Sequence, residues 1–437
     1  MKKVYIYLIA LFLTMSCTTD LDQFPPNIAS SGSLTDLSGV LNAAYFYQLG
    51  MVTPVAVMGD FRADNALMDE EPFPAFDRFN SDLTDMEDQF FGPFYTAAYR
   101  SILSSNNVIL NSTDPGQVGE AKFLRALSYF KLVQIFGDVG IRLEAEPDVL
   151  DTSILARQPV AEVYNNVIIP DLQDAISALD NSGLSSGRAS QIAAQGLLGK
   201  VYMHMGNFGN AEANLAAVVN GAAGAGISLQ ENFADIFGEA NDLNSEVIFA
   251  TQVSSSIIDE YGFSEFWSWY GGLDTKSLEP LDPSLIAAFD ASPGDLRRAI
   301  TIDEEALASP KFPQAGGPDH DWIEMRLADM ILLYAEALNE NGSSLESVLD
   351  LLDPIRTRAG LAPLDHTVVN TPALVRQAIA DERRLELAFE GQRWFDLVRT
   401  GTAQSVLNFA DANYLLAPIP ISEILVSDGV ITQNPGY

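Results

Sequence analysis

The sequence predicts a mainly α-helical fold in which helical hairpins of the tetratricopeptide type support a second, loop-rich half. Ten segments of the 437-residue chain show helical periodicity. One stretch follows the residue pattern of packed helical hairpins, and two long segments interrupt the periodicity. Hydrophobic residues make up 47% of the chain, which is enough for a substantial core.

The N-terminus has the features of an export signal. Two lysines precede the apolar stretch Val4–Met15, which is too short for the roughly 20 residues that a membrane-spanning helix needs. Cys17 is the only cysteine, and the preceding Leu13–Ser16 resembles a bacterial lipobox. We therefore expect a signal peptide at 1–16, lipid attachment at Cys17 and one mature domain at 17–437. The alternative is a plain signal peptide with a chance cysteine.

Helical periodicity divides the mature chain into candidate helices with clear ends. Gly137, Gly206 and Gly360 mark helix ends, and the pair Thr371-Pro372 marks a helix start. The candidate helices cover about 34–49, 91–110, 120–136, 160–179, 188–205, 210–219, 322–339, 345–358, 372–390 and 393–400. Together they define a helical half made of residues 34–50, 91–219 and 322–400.

An internal repeat indicates how these helices pack. Residues 198–211 follow the tetratricopeptide pattern of Leu-Gly, then Tyr, then Gly-Asn at the turn, then Ala. A weaker copy runs through residues 333–342 and continues into 345–358. Small residues at these positions allow close helix–helix contact, so the pattern predicts solenoid-like hairpins.

Two segments, 51–90 and 221–321, are rich in Gly, Pro, Asp and aromatic residues and carry only short strand-like runs such as 247–253. Irregular segments of this length on a helical scaffold are more often binding surface than passive connection. They are expected to form the ligand-binding half of the protein.

The charge balance excludes one class of partner. Lysine and arginine number 24 against 59 acidic residues, which gives a formal charge of −35. A nucleic-acid binder needs clustered basic residues, so that function is excluded. A strongly anionic ligand is disfavoured for the same reason.

Motifs for catalysis or metal binding are missing from the sequence. It contains no His-Glu-x-x-His, no Gly-x-Ser-x-Gly and no Gly-Lys-Ser/Thr phosphate loop. The charged run 381–399 has helical spacing that places Arg383 on one side with Glu386 and Glu390, which predicts a partly buried ion-pair lattice that positions a helix. We therefore expect no catalytic site, no metal and no cofactor.

Aromatic and polar clusters in the loop-rich segments are the candidate ligand contacts. Sugar rings stack on aromatic faces while polar side chains bind their hydroxyls. The aromatic candidates are Tyr261, Trp267, Trp269 and Tyr270, and an extended backbone would point both tryptophans the same way. The polar candidates are Arg62, Asp64 and Asn65. The alternative is that the rings only seal the loop-rich half onto the helical half.

Three segments resemble the SusD/RagB family of outer-membrane nutrient-binding lipoproteins. They are residues 120–141, with Phe-Leu-Arg-Ala-Leu-Ser-Tyr-Phe; residues 355–361, Ile-Arg-Thr-Arg-Ala-Gly-Leu; and residues 381–399, with Phe-Glu-Gly-Gln-Arg-Trp-Phe-Asp-Leu. The endings Leu416–Pro420 and Asn434–Tyr437 are also similar to the family.

This resemblance implies a lipid-anchored, surface-exposed protein of the outer membrane without catalytic activity. Its implied partners are an oligosaccharide and a SusC-like TonB-dependent transporter, over which the protein forms a lid. A second possibility within the family is peptide import, as for RagB. An enzyme or a purely structural scaffold fits the sequence less well, because site motifs are missing and long irregular segments are present.

Overall fold

Helices make up most of the structure, a computed structural model that describes residues 36–148, 151–254, 256, 266–271, 280–313 and 319–437. The α-helices are α1 Leu37–Phe46, α2 Val52–Ala56, α3 Gly92–Asn111, α4 Pro115–Phe136, α5 Val160–Val163, α6 Ile169–Ala178, α7 Gln191–His204, α8 Phe208–Gly221, α9 Phe266–Tyr270, α10 Pro283–Asp290, α11 Arg298–Thr301, α12 Leu327–Glu340, α13 Leu345–Arg358, α14 Pro372–Glu386, α15 Arg393–Arg399, α16 Ala403–Val406 and α17 Ile421–Val426. The strands are β1 Val139–Gly140, β2 Arg157–Gln158, β3 Val247–Thr251 and β4 Trp322–Arg326.

The longer helices form a continuous row of packed neighbours. Helix α1 packs on α3, α3 on α4, α4 on α6, α6 on α7, α7 on α8, α8 on α12, and α12 on both α13 and α14. A Cβ at Gly199 of α7 would lie 2.7 Å from the Leu215 side chain of α8, so this hairpin requires glycine for its close approach. The row is the solenoid-like packing that the repeat pattern predicts.

Helix boundaries follow the capping signals in the sequence. The backbone N–H of Leu374 donates to the Thr371 hydroxyl at 3.3 Å, so Thr371 is the N-cap of α14. Gly137, Gly206 and Gly360 have φ of +72°, +67° and +77° and follow the ends of α4, α7 and α13. Glycine reaches this left-handed region without steric cost, which explains why those helices stop there.

The predicted helix at 322–339 is wrong in its first turn. Residues Trp322–Arg326 form β4, which pairs antiparallel with β3 so that Val247 faces Arg326 and Thr251 faces Trp322. The partner strand lies more than seventy residues earlier, and periodicity within one segment carries no information about such pairing. The strand-like run at 247–253 is confirmed as β3.

The segment 51–90 is less irregular than the sequence predicts. Helix α2 continues into a π-helical turn, Val57–Phe61, and both are fully buried. The apolar run Leu37–Phe61 is long enough to cross a membrane by composition, but 67% of its most apolar window is buried inside the protein, as expected for core helices. Pro54 and Gly59 look like loop signals, yet Pro54 lies in the first turn of α2, where proline is tolerated.

A buried ion-pair network connects α14 to β4 and α13. Glu386 pairs with Arg297 at 2.8 Å, with Arg326 at 2.7 Å and with Arg358. Glu390 pairs with Arg326 at 2.7 Å, and it also pairs with Lys311. The predicted lattice therefore exists.

The partners of Arg383 differ from those expected. This arginine pairs with Asp329 at 2.8 Å and with Asp396 at 2.9 Å rather than with Glu386 or Glu390. Asp329 belongs to α12 and Asp396 to α15, so the Arg383 side chain connects α14 to two other helices. Spacing along one helix identifies residues on a common side, but neighbouring helices decide which charges they meet.

Replacing Gly59 tests the close packing of the backbone at residue 59 against the backbone at residue 391. A Cβ at Gly59 would lie 2.2 Å from the carbonyl oxygen of Gly391, and that contact is with backbone, which cannot rotate away. We expect Gly59→Ala to lower the free energy of unfolding by about 1–3 kcal/mol, measured by urea unfolding. Gly209→Ala is the matched control, because a Cβ there meets no atom within 4 Å. Equal stability of the two variants would contradict the described contact.

Candidate functional site

The structure describes six of the predicted ligand residues and places them on two elements. Arg62, Asp64 and Asn65 follow the π-helical turn Val57–Phe61, and Trp267, Trp269 and Tyr270 lie on α9. Tyr261 and Cys17 lie outside the described residues. Because α9 is helical rather than extended, Trp267 and Trp269 are rotated about 200° from each other and do not point the same way.

Asp60 joins the two predicted clusters inside the protein. The Tyr270 hydroxyl donates to Asp60 Oδ2 at 2.9 Å, Asn65 Nδ2 donates to Oδ1 at 2.8 Å, and the Gly391 N–H donates to Oδ2 at 2.7 Å. Burial raises the pKa of Asp60, although these hydrogen bonds oppose the shift. Tyr270 and Asn65 are themselves 0% and 1% exposed, so both clusters meet in the core rather than at a surface.

Arg62 is also fully buried and bound by other parts of the chain. Its Nη1 donates to the Phe76 carbonyl at 2.8 Å, and its Nη2 donates to the Tyr414 carbonyl. The guanidinium lies 4.8 Å from the centre of the Phe79 ring and 4.9 Å from that of Trp394. Burial lowers the pKa of Arg62 to about 10. The side chain thus connects the 73–79 segment to the C-terminal part of the chain.

Asp64 is half-buried and ion-paired. It meets Arg393 at 2.7 Å and Arg384 at 3.2 Å. Burial alone would raise the pKa of this carboxyl, but the two guanidinium groups outweigh it and hold the pKa below its ordinary value. Asp64 therefore stays ionised and positions the residues on either side of the turn after α14.

The two tryptophans of α9 differ in their surroundings. Trp269 is 6% exposed, and its ring lies 5.3 Å from Phe73 and 5.6 Å from Phe90 in edge-to-face contacts. Trp267 is half-buried, with its ring 5.9 Å from His320, and its Nε1 has no hydrogen-bond partner within the described part of the chain. Trp267 is thus the least buried of the described aromatic residues of the cluster.

Burial separates the predicted ligand residues into two groups. Arg62, Asn65, Trp269 and Tyr270 are buried and contact other parts of the protein, so in this structure they stabilise the fold. Ligand contact stays a prediction for the half-buried Trp267 and Asp64 and for Tyr261. Composition and loop context could not separate the groups, because aromatic residues beside glycine occur equally in buried turns and at binding surfaces.

Sequence reasoning missed a pair of carboxylates near Trp267. The Asp321 N–H donates to Asp242 Oδ1 at 3.3 Å, and the Val253 N–H donates to Asp321 Oδ1 at 2.8 Å. Burial, together with the neighbouring charge, raises the pKa of Asp321 to about 7 and that of Asp242 to about 6. The two acids are far apart in the sequence, which leaves no local signal for their pairing.

The carboxylate pair predicts a pH-dependent stability. Because the folded-state pKa of Asp321 exceeds its ordinary value of 3.8, ionisation is penalised in the fold, and wild type loses stability as pH rises from about 4 through 7. Asp321→Asn removes the charge and keeps an acceptor for Val253. We expect this variant to be more stable than wild type by on the order of 1–3 kcal/mol at pH 8, with the difference vanishing toward pH 4. A difference independent of pH would contradict the interpretation.

Two family models and several SusD-like relatives match this chain. Residues 22–203 match a family model described as starch-binding and associating with the outer membrane, and residues 306–413 match the model of the SusD family. The SusD-like protein P2 of Formosa agariphila is 27% identical over the whole of both chains. A SusD-like protein of Bacteroides ovatus is 26% identical, covering 82% of this chain and 73% of the relative.

Solved structures of SusD-like proteins also match this chain. A laminarin binding SusD-like protein matches with a TM-score of 0.72 and 26% identity, over 92% of this chain and 99% of that one. A SusD superfamily protein from Bacteroides vulgatus matches with a TM-score of 0.75 and 22% identity, over 92% of this chain and 99% of that one. These matches confirm the predicted mainly helical, SusD-like fold class.

Proposed function

Because the chain belongs to the SusD/RagB family, we propose that it is a surface-exposed glycan-binding lipoprotein that delivers oligosaccharide to a SusC-like TonB-dependent transporter. The observation that carries this proposal is the similarity to a laminarin binding SusD-like protein over 99% of that protein's length. Association with the outer membrane is part of the description of the family model that matches residues 22–203.

The family is one of binding proteins without catalytic activity, so the prediction that the chain is not an enzyme is confirmed. A binding role also agrees with the function of the charged run 381–399. The buried charges of this run form ion pairs with neighbouring elements. Glu386, which pairs with three arginines, is 0% exposed. Charges buried in this way position elements and do not reach a substrate.

A glycan panel tests the proposed function. The purified chain is tested for retention on immobilised peptides and on immobilised neutral and acidic polysaccharides, with laminarin among the neutral ones. The same glycans are incubated with the chain in solution and analysed for shortened products. Retention of an intact glycan supports the proposal. Retention only by peptides would favour the peptide-import alternative, and shortened glycan would contradict a binding function. Affinity purification from outer membranes tests the partner: recovery of this chain alone, with the transporter present, would contradict delivery to it.

Cys17 provides a test of the anchor. The lipobox-like sequence before the only cysteine motivates the expectation that Cys17→Ala yields an exported protein without lipid. Fractionation of cells that lack the transporter should move the variant from the membrane fraction to the soluble fraction, whereas wild type stays with the membrane. Ser31→Ala, which keeps both the cysteine and the lipobox-like sequence, is the control. Membrane retention of Cys17→Ala in these cells would disprove the lipid anchor.

A further inference from the structure

A second surface feature has the chemistry of a sugar-binding site and lies where the helical half meets β3. A cleft with a volume of about 280 Å³ opens between α1, the turn before α7 and β3. We call it the Phe46 cleft. Its lining residues are Asn42, Tyr45, Phe46, Gln48, Leu49, Gly187, Arg188, Phe249, Ala250, Thr251 and Gln252. None of the predicted ligand residues is among them.

One wall of the Phe46 cleft is apolar and aromatic. Leu49 and Phe249 are buried at 5% and 1% exposure and form its floor. Phe46 is half-buried, and its ring contacts Tyr47 at a centroid distance of 5.6 Å. A half-buried ring that lines a cleft offers the apolar face on which the C–H groups of a sugar stack.

The rim of the cleft carries hydrogen-bonding groups that are held in place. Arg188 Nη1 donates to Asn42 Oδ1 at 2.7 Å, and the guanidinium lies 4.2 Å from the centre of the Tyr45 ring. The Arg188 side chain still keeps 30% of its accessible surface. Gln252 is exposed and lies against Gly187, where a Cβ would come within 2.7 Å of the glutamine carboxamide. Glycine at 187, with φ of +66°, therefore leaves the space in which Gln252 lies.

The charge of the cleft selects against ionic ligands. Arg188 is the single charged residue among the lining residues that the structure describes, and its Nε donates to Glu120 at 2.7 Å. This ion pair cancels the local positive charge, and the chain as a whole has a formal net charge of −35. A carboxylate or phosphate would meet no uncompensated cation here, whereas neutral hydroxyl groups find amide and guanidinium partners.

From this combination we propose that the Phe46 cleft is a binding subsite for one or two rings of a neutral oligosaccharide. The proposal rests on the proposed glycan-binding function. It adds where on the protein the glycan binds, and it specifies that the bound glycan is uncharged. The cleft is slightly smaller than the range of about 300–1,000 Å³ typical of drug-sized ligands, which suits a short piece of glycan. A shallower depression of about 490 Å³ shares Arg188 with the cleft, so a longer glycan can continue across that residue.

Binding of laminarin oligosaccharides by calorimetry tests the subsite. Phe46→Ala should weaken binding by about three- to tenfold, the equivalent of one stacking interaction. Gln252→Ala should weaken it by about three- to tenfold, as expected for the loss of one hydrogen bond. Phe208→Ala and Gln173→Ala are the matched controls, since Phe208 is also half-buried, Gln173 is also exposed, and neither lines the cleft. Melting curves of all four variants report whether each is folded.

The outcomes separate this proposal from the function on which it rests. Weakened binding by folded Phe46→Ala and Gln252→Ala, with both controls unchanged, supports the subsite. Wild-type affinity in both cleft variants overturns the subsite and leaves glycan binding intact. If wild type binds no neutral oligosaccharide, the glycan-binding function fails and the subsite fails with it. If Phe46→Ala is unfolded, Gln252→Ala decides between the first two results.

Discussion

Replacing Glu386 with alanine is expected to lower the free energy of unfolding by about 3–5 kcal/mol. The carboxylate is 0% exposed and lies between Arg297, Arg326 and Arg358. Removing it leaves three guanidinium groups with fewer partners in a region without solvent, and the unpaired charge costs more than the ion pairs contribute. Urea unfolding at pH 7 measures the change.

The same glutamate predicts how stability depends on pH. Burial raises the pKa of Glu386, but the three arginines outweigh it and hold the pKa below the ordinary value of 4.5. Its contribution is therefore complete above about pH 4.5 and is lost as pH falls further, so wild type should lose more stability on acidification than Glu386→Ala. Glu231→Ala, which removes an exposed carboxylate, is the control and should match wild type. A Glu386→Ala variant as stable as this control would contradict the described network.

Truncation of Trp269 is expected to have a similarly large effect, about 3–5 kcal/mol of unfolding free energy. The ring is buried between Phe73 and Phe90, and α9 also carries Tyr270, whose hydroxyl binds Asp60. Alanine would leave a cavity where α9 packs against Phe73 and Phe90. Thermal and urea unfolding of Trp269→Ala measure the loss, which should come with little change in glycan affinity for the fraction that is folded.

Trp267→Ala is the matched comparison on the same short helix. Trp267 is half-buried whereas Trp269 is buried, so the stability loss should be clearly smaller than for Trp269→Ala. If Trp267 contacts ligand, its truncation should weaken glycan binding by about two- to tenfold. Equal destabilisation by the two substitutions would contradict the difference in burial between them.

Local sequence signals predicted the helical half well because its determinants are local. Residues 345–358 were expected to be helical and form α13 with those bounds, and the N-cap at Thr371 is as predicted. Capping groups, left-handed glycines and helical periodicity all act within a few residues, so a single sequence contains them. The strand Trp322–Arg326 depends instead on a distant partner, and its five residues were misassigned for that reason.

The ligand residues were harder to predict because exposure is a property of the tertiary structure. Arg62, Asn65 and Tyr270 have the residue types of a sugar site, yet Asp60, Phe76 and Tyr414 engage them in the core. The Phe46 cleft had no sequence signal, because its walls come from α1, the turn before α7 and β3, which are distant in the chain. Only the folded arrangement brings Asn42, Arg188 and Gln252 to one rim.

Calorimetric titration of the purified chain with laminarin oligosaccharides, followed by chromatography of the recovered ligand, tests the glycan-binding claim most directly. A chain that begins at residue 18 avoids the lipid anchor and keeps every described residue. Saturable binding with the oligosaccharide recovered at its original length is the predicted result. Titration without binding, repeated with the other neutral glycans of the panel, or recovery of shortened products would contradict the account.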